Sequence, residues 1–178
     1  MSTLFVNNLD TASGTDITVA SGKTIKAPGM IVQVQSAETS VQLTLNSSTS
    51  TQTDVGLAVS ITPKYSNSKI YVIATGNAYA ASNSDNPLHR IVRTVSGTAT
   101  SIAATDYIAY RGGGGGGTGT AYVQSVMDSA QSTSAHEYKV QIRSDTGSGT
   151  VYFNVRDAAG GTSEEAQLST IMAMEIAQ

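Results

Sequence analysis

Val32-Gln33-Val34-Gln35 and Val41-Gln42-Leu43-Thr44-Leu45 alternate apolar and polar side chains residue by residue. A period of two sends one set to each side of a pleated strand, so these stretches predict a sheet with one wet face. Similar segments recur at 55–62, which Pro63 closes, and at 69–74, 88–95, 121–127, 137–143, 151–155 and 171–176. Eight or nine strands joined by Gly, Ser and Asn turns predict an all-β fold, an antiparallel β-sandwich or jelly roll. No segment keeps helical periodicity for more than about two turns. In the last strand Ile171 and Ala173 share one face, while Met172, Met174 and Ile176 share the other. Apolar residues on both faces predict a strand in the middle of a sheet or at a subunit interface.

Composition points the same way. About a quarter of the 178 residues are Ser or Thr, and 17 are Gly. Hydroxyl side chains compete for backbone hydrogen bonds and Gly costs a helix about 1 kcal/mol against Ala, whereas Thr beside Val and Ile suits strands. Regular apolar runs separate the chain from disordered Ser/Gly-rich sequences. The length suffices for one core without metals or disulfides. With no Cys, thiolate catalysis, Cys-ligated zinc and iron–sulfur chemistry are excluded. Ten Lys and Arg against 13 Asp and Glu lack the positive field that a phosphate backbone demands, so nucleic acid is not an expected partner. The opening Met1-Ser2-Thr3-Leu4 has no basic n-region, and no apolar run nears the ~20 residues of a membrane helix, so no membrane insertion is expected.

Residues 1–29 read as a separate β-rich segment for attachment or oligomerisation. Leu4, Val6, Leu9, Ile17, Val19 and Ile25 are isolated apolar positions, and two short strand-like pieces, 4–9 and 17–19, are split by a polar turn at 11–16. Two strands cannot bury a face in water by themselves, so the segment is expected to lean on its own domain, a symmetry mate or a larger assembly. Pro28-Gly29 marks the boundary, and 30–178 forms the head domain. Two loops stand out there: Ala81-Ser82-Asn83-Ser84-Asp85-Asn86-Pro87, and the six glycines at 112–117. Loops of a sandwich gather at its ends and carry contacts, so Ser82, Asn83, Asp85, Asn86, Tyr107, Tyr110 and Arg111 are the candidate receptor-contact residues. Rigid amphipathic Tyr rings among Ser, Gly and Asn suit such a surface.

Chemistry is sparse. The glycine run lacks the Lys-Ser/Thr and the following helix of a phosphate loop. Ser66-Asn67-Ser68-Lys69 and Ser84-Asp85-Asn86 match two elements of penicillin-recognising serine enzymes, but the third, a later Lys-Thr-Gly, is absent. The two histidines, His89 and His136, are too few and too far apart for a structural zinc site, and His89 reads as a partly exposed strand or loop-edge residue. Glu164-Glu165 reads as a solvated loop pair, and Asp106 with Glu137 is the pair to test for a polysaccharide hydrolase, the weaker alternative. No catalytic residue, cofactor or metal is expected.

The lead-in Leu4-Phe5-Val6-Asn7-Asn8-Leu9, Thr15-Asp16-Ile17-Thr18-Val19 and Lys23-Thr24-Ile25-Lys26-Ala27-Pro28-Gly29 resembles that of marine bacteriophage fibre proteins. The head resembles theirs through Gly29-Met30-Ile31-Val32-Gln33-Val34-Gln35, Ile61-Thr62-Pro63-Lys64-Tyr65-Ser66-Asn67-Ser68-Lys69-Ile70 and Ile171-Met172-Ala173-Met174-Glu175-Ile176. The resemblance implies a trimeric jelly-roll head, similar to those of tumour-necrosis-factor-like and C1q-like proteins, on a virion surface. The implied role is a non-enzymatic short fibre or knob that docks to tail or capsid proteins through its first 29 residues and touches a host glycan or protein. Capsid decoration without a receptor is the alternative.

Overall fold

The structure is a computed structural model, and it describes residues 27–45, 52–80, 86–104, 118–145, 150–155 and 166–178. These residues are all-β and contain no helix. Ten strands follow in order: β1 (Ile31–Thr39), β2 (Leu43–Leu45), β3 (Thr53–Ile61), β4 (Lys69–Ala80), β5 (Pro87–Val95), β6 (Thr98–Ala104), β7 (Thr118–Ser129), β8 (His136–Ser144), β9 (Val151–Phe153) and β10 (Ser169–Ile176).

They form two packed antiparallel sheets. The larger has the order β1-β10-β4-β9-β2, with β7 on the other side of β4; the smaller has the order β3-β8-β5-β6. Among the eight longer strands the pairing is nested: first with last (β1 and β10), then β3 with β8, β4 with β7, and β5 with β6. The last strand lies between β1 and β4, in the middle of its sheet as its two apolar faces suggested.

Strict alternation builds the core. In β8 every second residue, His136, Tyr138, Val140, Ile142 and Ser144, is buried, and β10 buries Ser169, Ile171, Ala173 and Glu175 in the same phase. These meet Val55, Leu57, Val59 and Ile61 of β3, Ile70, Val72 and Ala74 of β4, and Phe153 of β9. Burying a side chain of this size stabilises by about 1.5–3 kcal/mol, so this layer holds the sheets together.

Two readings need correction. His89 is not partly exposed: it is 1% exposed, because the register sets it opposite Ile142 on the inner face of β5. Its ring centre lies 4.0 Å from that of Tyr122, edge to face, and burial pushes its pKa down to about 3, so the ring is neutral. Strand β6 went unread, because Thr98-Ala99-Thr100-Ser101 offers little apolar contrast. It joins β5 through Ser96 and Gly97, both with positive φ (49° and 81°), the two-residue turn that follows the twist of a hairpin.

The sandwich has two unlike ends. At one, here the base, the chain enters: Gly29 N–H donates to the Ala177 carbonyl (2.8 Å) and Ala177 N–H to that of Met30 (2.9 Å). The 62–68 turn, the Ser96-Gly97 hairpin and the 130–135 loop share this end. His136 secures that loop, its ring nitrogens 2.7 and 2.8 Å from the carbonyl oxygens of Ser134 and Ala130. At the other end, the tip, lie the strand ends joined by 46–51, 81–85, 105–117 and 146–149.

Candidate interaction surface

Among the described residues, no cluster of three or more His, Asp or Glu able to hold a metal occurs. Lys69 begins β4 at the base while Asn86, the described residue of the second serine-enzyme-like motif, precedes β5 at the tip. His89 and His136 belong to register positions six residues apart on β8, roughly 20 Å along the strand.

The outer faces of the two sheets differ sharply. On the smaller sheet polar side chains cross the strands: Asp54, Gln141 and Arg90 form one row, Ser60, Glu137 and Thr94 another, with Lys139 between. Arg90 Nε donates to Gln141 Oε1 (2.7 Å), Gln141 Nε2 donates to Asp54, and Lys139 Nζ pairs with Asp54 (2.7 Å). Partial burial pushes the Asp54 carboxyl up, but the hydrogen bonds from Lys139 and Gln141 outweigh it and hold the group below its usual value. This face is adapted to water.

On the larger sheet the register aligns four rows across β1, β10, β4 and β7. One is Val34, Met174, Tyr71, Met127; the next is Ser36, Met172, Ile73, Ser125. Toward the base comes Ile31, Ile176, Lys69, Ser129, and toward the tip Glu38, Thr170, Thr75, Val123. Val123 is 70% exposed, Met127 53% and Val34 47%. Lys69 and Glu38 are the only charges in these rows, one of each sign. Four strands at ~4.8 Å spacing and seven residues at ~3.4 Å rise span a plane of roughly 450 Å² before side-chain relief is added. About half of these positions are apolar, and a patch of this scale equals the largest on a typical monomer, which is often functional. A shallow pocket of about 380 Å³ opens at the β1–β10 corner, lined by Ser36, Ala37, Glu38, Thr170, Ile171 and Met172.

The base is built around Glu175, which is fully buried. Its carboxylate accepts from the N–H of Lys64 (2.9 Å) and Tyr65 (3.1 Å), the Ser68 hydroxyl (2.8 Å) and Gln33 Nε2 (2.7 Å). Burial pushes this carboxyl up, yet the four donors outweigh it and leave the pKa below the usual value. Glu175 thereby ties together β1, the 62–68 turn and β10. Asn154 plays the matching part beside β9, donating to the carbonyls of Thr39 (3.0 Å) and Val41 (3.1 Å) and accepting from Ser169 Oγ.

Of the expected receptor-contact residues, Asn86 is described: it lies at the tip, half-buried, its Nδ2 donating to Asp145 Oδ2 (3.1 Å). Ser82, Asn83, Asp85, Tyr107, Tyr110 and Arg111 lie outside the described residues, as do Leu4, Val6, Leu9, Ile17, Val19 and Ile25, along with Asp106 and Glu164-Glu165. Glu137 sits half-buried on the outer face of the smaller sheet. Sequence reasoning missed the apolar rows beyond Met172, Met174 and Ile176, because only register shows that Val34, Tyr71 and Met127 lie beside them. In comparisons with known proteins, no family model and no curated sequence matches the chain.

Proposed function

We propose that the chain is a non-enzymatic structural protein of a virus particle, the head of a short bacteriophage fibre or knob, assembled as a homotrimer. The carrying observation is the contrast between the two outer faces: one is a charged, hydrogen-bonded surface, the other a nearly uncharged Met-, Val- and Ile-rich sheet. Covering the second face with copies of itself removes apolar area from water at about 25 cal/mol per Å², and its balanced Lys69 and Glu38 leave no net charge for the copies to repel.

The nested pairing of the eight longer strands supports a jelly roll, which a long hairpin generates when rolled into two sheets. Entry of the chain at the base, opposite the strand ends that border 81–85 and 105–117, supports docking through residues 1–29 and host contact at the tip around Asn86. Equilibrium sedimentation of the full chain tests the assembly, with a trimer expected and a monomer at micromolar concentration refuting it. Antibody labelling of particles in electron micrographs tests the place: label on fibres or knobs is expected, and label spread over the shell's threefold positions favours decoration instead.

A further inference from the structure

The chain has five methionines and neither Cys nor Trp, so its readily oxidised sulfur is confined to thioethers. Three of the five, Met127, Met172 and Met174, share the outer face of the larger sheet; Met174 and Met127 flank Tyr71 in a single cross-strand row. Met127 and Met172 are exposed there. Met30, also exposed at 38%, lies off these rows at the base.

We infer that Met127, Met172 and Met174 form an oxidation-sensitive modification site, through which a peroxide controls association of this chain with its own copies. The inference rests on the association reading above. A thioether sulfur attacks one peroxide oxygen and the O–O bond breaks. Sulfur is oxidised to the sulfoxide, the peroxide is reduced, and the displaced hydroxide takes up a proton and leaves as water. The sulfoxide is polar, and burying it in the assembly against Val, Ile and Met side chains of neighbouring copies costs desolvation that the thioether does not. Each oxidised position buried in the contact weakens association roughly ten-fold or more. In the assembled state the same sulfurs are covered, so association shields the site and oxidation of the free chain prevents reassembly.

The test treats the full-length chain with hydrogen peroxide below and above its association midpoint, locates added oxygen by peptide mass spectrometry, and measures association by sedimentation. Below the midpoint Met127, Met172 and Met30 are expected to oxidise together; above it Met30 continues while the face is shielded. The oxidised chain is expected to associate at least ten-fold more weakly with its β-sheet circular dichroism unchanged. In M127L/M172L/M174L the association measured before treatment should be unaffected by peroxide, and Met30→Leu, which leaves the face intact, should respond as the wild type does. Full oxidation of the three with association unchanged overturns the inference alone. An untreated chain that stays monomeric overturns the association reading and this inference with it.

Discussion

Glu175→Gln keeps the side-chain volume at the base and removes one charge and one acceptor. The amide oxygen retains the geometry to accept from Lys64 N–H, Tyr65 N–H and Ser68 Oγ, but the amide nitrogen now faces Gln33 Nε2, donor against donor. Hydrogen bonds to a charged acceptor contribute about 1.5–3 kcal/mol and neutral ones about 0.5–1.5. Weakening three by about 1 kcal/mol each and losing a fourth, less the desolvation that a neutral amide avoids, destabilises by about 3 kcal/mol, a large part of the 5–15 kcal/mol typical of a domain. Urea unfolding followed by circular dichroism at neutral pH and fixed protein concentration should show a lower midpoint with the same slope.

The effect is pH-dependent. Because the folded-state pKa of Glu175 is depressed below the ordinary 4.5, its ionised form stabilises above that value, and the stabilisation is lost as pH falls through the folded-state pKa. Wild type and variant should differ most above pH ~5 and converge in acid. A difference under about 0.5 kcal/mol at neutral pH, the scale of an ordinary surface change, or a gap that persists unchanged into acid, would refute the reasoning.

Gly76→Ala drives a Cβ into Ser169 Oγ and to 2.8 Å from Tyr122 Cε1, so it should cost about 2–3 kcal/mol and lower the melting temperature by several degrees in calorimetry. Asp128→Asn weakens the half-buried pair with Arg93 (2.9 Å) and the Tyr138 hydroxyl bond (2.8 Å), which join β5, β7 and β8; a loss of about 2 kcal/mol in urea unfolding is expected. Asp54→Asn touches an ion pair on the wet face of the smaller sheet and should change stability by less than about 0.5 kcal/mol in the same assay.

Period-two alternation made most strands legible, because it reports directly which side chains a sheet must hide. Its limits are equally physical. Pattern reading ended β4 at Ala74, yet the strand continues to Ala80, where backbone pairing to β7 and β9 carries Gly76, Asn77 and Ala78, residues of low strand preference. Period two put His89 in phase with Ile91, and the error was to expect exposure from its chemistry rather than burial from its phase. Glu175 was legible by the same logic: an acid in step with Ile171 and Ala173 is on a buried face and needs donors, which the polar 62–68 turn supplies. The apolar outer rows were not legible, since a strand pattern gives a face but not which strand lies beside it. Register decides that, and it is a non-local property of the fold.

The association state of the full-length chain bears most directly on the account. Equilibrium sedimentation across the micromolar range should give the mass of three copies, and M127K/M172K, which puts two charges on the outer face of the larger sheet, should reduce this to one copy with the circular dichroism spectrum retained. A wild-type chain that sediments as a single copy throughout, or a double variant that assembles as the wild type does, would contradict it.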